Sequence, residues 1–391
     1  MTSKKIFKKQ GNRSIIVEDD GDRIYYNFII GEKRDRQPLF DAKFQENLDQ
    51  VFITNPSEYY ISVVRFSIPC QNIPIFVPEI QSFPNTNVNN TVYSLSLEYN
   101  GFTSGETFVQ FVSGNPNAYV TPISANSPDA DTSSIYYWIY NFQAFIDMVN
   151  TTFQTAFTAL NVASGGLPVG AVAPYFEFDP STQLISLVVQ RLFYDQTLLN
   201  PINIFMNYKL FVYFDGIEID YLGTGANIYL PNGKDVQLIV KDLKNNWYNP
   251  SFVVPASPPD YYKMTQNFPN LVTWNVFKSL QITSNMIPIR EEYAPSVRDI
   301  LGGSNTESQV FLKDFEPVLN NGGDSRGILY FVLDGPYQLI NLVSTTPLTK
   351  LDITMYWVDR FGRKFLLQCP YNQVISVKVV FIKKSSYIED K

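Results

Sequence analysis

Apolar and polar positions alternate with a period of two along most of this chain. In residues 91–100, Tyr93, Leu95, Leu97 and Tyr99 alternate with Ser94, Ser96 and Glu98, the pattern of a strand with one buried face. Residues 175–178 and 184–189 flank Asp179-Pro180-Ser181-Thr182, whose Asp and Pro suit the first two positions of a type I turn, so a hairpin is expected there. The same reading makes strands of residues 207–214 and 217–221 around Asp215-Gly216, and leads Tyr229-Leu230 through Pro231-Asn232-Gly233 into a strand over 235–240. Further strands are expected at 23–30, 59–68, 277–283, 328–333, 351–358 and 373–382. Turn residues separate them at short intervals, which points to an all-β protein built of jelly-roll type antiparallel sandwiches.

One segment follows a different period. Between residues 141 and 160, Phe142, Phe145, Ile146, Val149, Phe153, Ala156, Phe157 and Leu160 recur at steps of three and four. That spacing places them on one stripe of an amphipathic helix, with Asn141 as its N-cap. An aromatic stripe of this kind is expected to lie on a sandwich as part of its core.

Stretches rich in Pro, Asn and Ser at 82–90, 113–134 and 245–260 read as loops, and Asn249-Pro250 with Pro255, Pro258 and Pro259 is the best linker candidate. Both 65–75 and 279–289 run from a strand through a polar break into Ile-Pro-Ile, a short echo that a strand exit marked by Pro also explains. Three regions are therefore expected. Residues 1–22 form a flexible basic arm, 23–260 a β-sandwich region with the helix, and 261–391 a second sandwich. The alternative for the last two is a single jelly roll carrying an inserted subdomain.

Composition narrows the function. Charged residues make up only 17% of the chain against 45% hydrophobic and 15% aromatic, so part of the surface is expected to meet protein rather than water. A net charge of −7 argues against coating nucleic acid with the whole surface. A local contact with genome or an acidic partner is expected from Lys4, Lys5, Lys8, Lys9 and Arg13, which precede the first acid, Glu18. Cys70 and Cys369 are too few and too far apart in sequence for a disulfide framework or metal cluster. Neither a secretory signal nor a membrane-spanning run is read, so the chain is expected to stay in a reducing compartment and not be secreted, and the sequons at Asn89 and Asn150 are chance matches.

The chain contains no histidine, which removes the side chain that titrates near neutrality and the commonest transition-metal ligand. Gly223-Thr224-Gly225 lacks the third glycine of a dinucleotide loop, and Gly233-Lys234 lacks the upstream glycine of a P-loop. Asp129, Asp131 and Ser133 sit at calcium-loop spacing, but the sixth and twelfth positions are Ser134 and Tyr140 in place of Gly and Glu. No enzyme, metal or cofactor is expected.

The C-terminal stretch runs Leu351, Ile353, Met355 and Trp357 on one strand face, reverses at residues 359–362, and closes with the strand 373–382 followed by Lys383 and Lys384. This ending resembles that of penton and minor capsid proteins of virophages and polinton-like viruses, as does Tyr136-Tyr137-Trp138-Ile139-Tyr140 leading into the helix. The resemblance implies a jelly-roll shell protein of an icosahedral virion. Such a protein assembles as a homo-oligomer, a pentamer first of all, with other capsid proteins, and has no catalytic residues. The competing classes are a receptor- or carbohydrate-binding fibre or tail module, with Trp247 and Tyr248 as candidate contacts, and a glycosidase on a β-scaffold.

Overall fold

The computed structural model describes residues 4–10, 13–19, 22–31, 39–48, 51–81, 87–114, 134–222, 233–241, 252–254, 261–289, 297–298, 304–305, 310–316, 328–333, 337–370 and 373–387. Strands far outnumber helices among the described residues, so the fold is mostly β, and its sheets are antiparallel. The chain divides into two units. One comprises Met1–Ile73, Phe277–Asn320 and Asp324–Lys391, and the other is Pro74–Val276 with Asn321–Gly323.

The first unit is a sandwich. Its larger sheet has seven strands in the order Lys4–Gln10, Arg13–Asp19, Arg23–Gly31, Val374–Lys383, Tyr59–Pro69 and Ile328–Val332, with Ile340–Asn341 also paired to Tyr59–Pro69. The second sheet orders Val310–Phe315, Phe277–Ser284, Lys350–Asp359 and Lys364–Leu366, with Lys43–Asn47 on Lys350–Asp359. Alternation decides which side faces in: Ile24, Tyr26, Phe28 and Ile30 are buried while the residues between them are not. Phe28 meets Phe44 of the opposite sheet at 4.7 Å between centroids, and Phe66 meets Phe315 at 5.1 Å. Both contacts are edge-to-face pairings, the arrangement the ring quadrupoles favour.

Two buried polar devices fix the turns of this sandwich. Asp352 accepts hydrogen bonds from Ser284 Oγ, from Asn285 N at 2.8 Å and from Met286 N at 2.9 Å, holding the chain where it leaves strand Phe277–Ser284. Asp359 accepts from Phe361 N and Arg363 N at 2.9 and 2.8 Å and from Arg363 Nε at 2.6 Å. Gly362 takes the left-handed φ of 79° that this reversal requires. Trp357 then stacks on Phe365 at 4.3 Å across the hairpin.

The second unit has a core of its own, running in sequence from Ile75 to Trp274. A sheet ordered Tyr175–Asp179, Leu184–Gln190, Tyr261–Thr265, Phe252–Val254 accompanies a six-stranded one in which Asn90–Tyr99 pairs with Asn203–Met206. The helix spans Phe142–Ala163, capped by Asn141 Oδ1 accepting from Gln143 N at 2.9 Å. The expected stripe is buried from Phe142 through Leu160, with Phe157 half-buried. It packs on strands Tyr175–Asp179, Asn90–Tyr99 and Thr107–Gln110. Trp274 fills the centre against Phe76, Phe142, Phe145, Tyr213 and Phe214, and its Nε1 donates to the Tyr213 carbonyl at 2.9 Å.

Three expectations are corrected. The division near Asp260 does not occur, because Tyr261–Thr265 pairs with Leu184–Gln190 in the middle of the second unit; the breaks fall at Ile73/Pro74 and Val276/Phe277. Residues 207–214 are two helical turns, Tyr208–Phe211 and Val212–Phe214. Asn207 caps them by accepting from Leu210 N at 2.9 Å, and the turns bring Tyr213 and Phe214 together into the core, where alternation would have put them on opposite faces. Finally, the basic N-terminal stretch is not a separate arm in its backbone: Lys4–Gln10 pairs with Arg13–Asp19, which pairs with Arg23–Gly31.

Candidate functional site: the assembly surfaces

The residues expected to touch genome or a partner fall on two neighbouring strands. Lys4, Lys5, Lys8 and Lys9 lie on the outermost strand of the seven-stranded sheet, and Arg13 begins the next. The register sets Lys4 opposite Asp19 and Lys5 opposite Glu18. The signal for this pairing was present in sequence, since Gly11-Asn12 separates the basic run from the β-branched Ile15, Ile16 and Val17. Trp247, Tyr248, Asp129 and Asp131 lie outside the described residues, as do Gly223-Thr224-Gly225 and Tyr229-Leu230.

The opposite edge of the same sheet has the contrary chemistry. Strand Ile328–Val332 turns Leu329 and Phe331 toward the sandwich, with Phe331 stacked on Phe66 at 5.2 Å. On the outward face Ile328, Tyr330 and Val332 are 65%, 62% and 48% exposed. Three apolar side chains in a row on an edge strand are costly in water and invite another chain. The sequence pattern located this strand but not its position at an edge, which depends on its pairing with Tyr59–Pro69 more than 250 residues away.

Two further surfaces stand out. At the 359–362 reversal, Phe361 is exposed between two guanidinium groups, Arg360 at 5.0 Å and Arg363 at 5.4 Å from its ring centre. In the second unit, the outer face of the helix presents Gln154, Thr155, Thr158, Ala159, Val162 and Ala163. Thr151, Thr155 and Thr158 turn their hydroxyls back onto the carbonyls of Asp147, Thr151 and Gln154 at 2.8, 3.0 and 2.9 Å, leaving their methyl groups to define that face.

The buried ionisable groups hold the fold. Burial raises Asp195, but hydrogen bonds from Thr197 N, Thr197 Oγ1 and Tyr262 Oη, with Arg191 nearby, outweigh it and hold the carboxyl below its usual range. Burial pushes Lys364 down to about 8 despite the charge of Asp314, with its Nζ 4.4 Å from the Tyr356 ring centre. Among the described residues no group of three or more Cys, Asp or Glu side chains is placed to hold a metal ion, and no helix is long and apolar enough to cross a membrane.

The double-sheet antiparallel sandwich with an inserted, separately cored unit is of the jelly-roll type. The particular family is given by comparison: residues 24–383 match the Sputnik minor capsid protein V18/19 family, and the chain belongs to it. It is a viral capsid structural protein. Structural protein V19 of Sputnik virophage is 38% identical over 210 residues, covering 54% of this chain and 94% of that protein. Protein V18 of the same virophage is 46% identical over 157 residues, covering 40% of this chain and 91% of V18. A chain in the cryo-EM structure of Sputnik virophage superposes with a TM-score of 0.78 at 40% identity, covering 94% of this chain and all of that one. The crystal structure of the mavirus penton protein shares the fold at a TM-score of 0.56 and 14% identity, covering 92% and 99% of the two chains.

Proposed function

We propose that the chain is the vertex subunit of an icosahedral shell, made in the host cytoplasm and assembling first as a homopentamer that other capsid proteins then surround, with no catalytic role. The observation that carries this reading is the outward apolar row Ile328, Tyr330, Val332 at one edge of the seven-stranded sheet. A cyclic pentamer needs two different surfaces on each subunit, because its contacts are head-to-tail. The apolar edge of this sheet supplies one of them, its counterpart being a different face of the neighbouring subunit, and the other edge carries Lys4, Lys5, Lys8 and Lys9. Lysines on an edge strand discourage further strand pairing, so the basic edge serves as a guarded contact to packaged nucleic acid or an acidic neighbour while the apolar edge packs against the next subunit. Size-exclusion chromatography with light scattering tests the assembly: a mass of five chains is expected, and a monomer at tens of micromolar overturns it.

A further inference from the structure

Cys70 and Cys369 are the chain's two cysteines, and both are fully buried in the first unit. Roughly 300 residues of sequence separate them, yet the fold lays their segments side by side. Cys369 Sγ lies 3.7 Å from the carbonyl oxygen of Pro69, the residue preceding Cys70, while Cys70 Sγ donates to the carbonyl of Ile68 at 3.4 Å. One peptide bond keeps the Cys70 Cα within about 3 Å of the Pro69 oxygen, so the Cys369 sulfur is within about 7 Å of that Cα. The surrounding contacts repeat the alignment: Asn72 Nδ2 donates to the Gln368 carbonyl at 3.2 Å, and Gln373 Nε2 donates to Gln71 Oε1. Strand Gln368–Pro370 is itself held by Leu39–Asp41, so the second thiol has a fixed support.

We propose that Cys70 and Cys369 form a redox latch, reduced when the chain is made and closed to an intramolecular disulfide once a disulfide oxidant such as oxidised glutathione replaces reducing surroundings. The thiolate of one cysteine attacks a sulfur of oxidised glutathione, expelling one glutathione thiolate. The thiolate of the second cysteine then attacks the protein sulfur of that mixed disulfide, expelling the other glutathione thiolate. Two S–H bonds are lost and one S–S bond is made in the protein; the two protons pass to the two glutathione thiolates, and the oxidant is reduced to two thiols. Burial pushes both thiols up to about 12, and the neighbouring Cys70 adds to the rise at Cys369. Closure therefore waits on local opening and is slow. The same burial shields the finished bond from reductants. Its position is where it has effect, because Cys70 stands three residues before Ile73, where the chain leaves the sandwich for the second unit. The latch belongs to the chain itself and does not depend on the pentamer.

The test uses the full chain purified in reductant and moved into oxidised glutathione at mildly alkaline pH for hours to days, then alkylated in denaturant. The expected product is monomeric in mass, lighter by two hydrogens, unmodified by the alkylating reagent, and yields a peptide joining the Cys70 and Cys369 segments. Its Tm should rise by about 5 °C or more and fall back on reduction. Cys70→Ala should leave Cys369 open to alkylation with no such peptide. The proposal is overturned by wild-type chain that still alkylates at both thiols after incubation just below its Tm. Glutathione adducts or dimers between chains in place of the internal link also overturn it, and each of these outcomes is read on the wild-type protein without recourse to the variant.

Discussion

Replacing Tyr330 with lysine separates folding from assembly. Tyr330 is 62% exposed on an edge strand, and its neighbours Leu329 and Phe331 carry the inward packing. Its loss should therefore move the melting free energy of the isolated chain by no more than about 0.5 kcal/mol, the range for surface positions. At an interface the sum differs. An aromatic side chain can bury roughly 200 Å², of which about 120 Å² remains open here, worth about 3 kcal/mol when a neighbour covers it at ~25 cal/mol per Å². A lysine in its place forfeits that and adds the cost of removing an ammonium from water. Each contact should weaken by a factor of about 100 or more, and a ring makes the contact five times, so pentamers should vanish from light-scattering profiles at concentrations where the wild type is fully assembled. Sedimentation velocity on both proteins, with circular dichroism melts in parallel, makes the comparison. Unchanged pentamers in Tyr330→Lys would refute the placement of the interface, and a monomer with a Tm lowered by many degrees would show that the strand supports the fold instead.

Other consequences follow from buried polar groups and from the core. Asp352→Ala removes the carboxylate that accepts from Ser284 Oγ, Asn285 N and Met286 N, the last of which keeps Ser284 Oγ at 3.2 Å, and should destabilise by about 2–4 kcal/mol in urea titrations. Asp195 has a depressed folded pKa, so its contribution is present above the unfolded value near 4 and is lost as pH falls through the folded one; the stability gap between wild type and Asp195→Asn should close in acid. Lys364 has a folded pKa of about 8 against an unfolded value near 10.4, so the unfolded chain binds more protons between them and stability should rise with pH across that window. Lys364→Met should flatten that rise. Trp274→Ala should cost about 3–5 kcal/mol, measured by chemical denaturation, because five aromatic rings lose their shared partner.

What could be read from the sequence is what local period controls. The strands around Tyr93–Leu97 and Leu351–Trp357 and the helix stripe from Phe142 to Leu160 lie where alternation and the step of three and four put them, although both strands are buried on both faces, Ser94 and Ser96 included, where the pattern of Tyr93–Leu97 had implied one. The misreading at Asn207–Phe214 has a specific cause. A run of aromatic and β-branched residues suits a strand as well as a short buried helix, and the deciding element is the Asn207 side chain, which satisfies the Leu210 amide. The inserted unit stood among the alternatives, but its boundaries escaped because they are marked by pairing rather than composition: the Pro-rich stretch near residue 255 is followed by a strand that returns to Leu184–Gln190. Likewise the candidate surface is defined by which strands end a sheet, and Ile328–Val332 looks like any buried strand until its partners are known.

The order of strands in the seven-stranded sheet also sets a sequence of events during synthesis. Val374–Lys383 lies between Arg23–Gly31 and Tyr59–Pro69, so the strands made first have no bridge until one of the last segments leaves the ribosome. The core from Ile75 to Trp274 is complete long before that. A ribosome therefore releases the inserted unit before a chain able to close the sandwich around Val374–Lys383. Premature termination anywhere before residue 374 yields molecules that lack the bridging strand and leave Arg23–Gly31 and Tyr59–Pro69 unjoined.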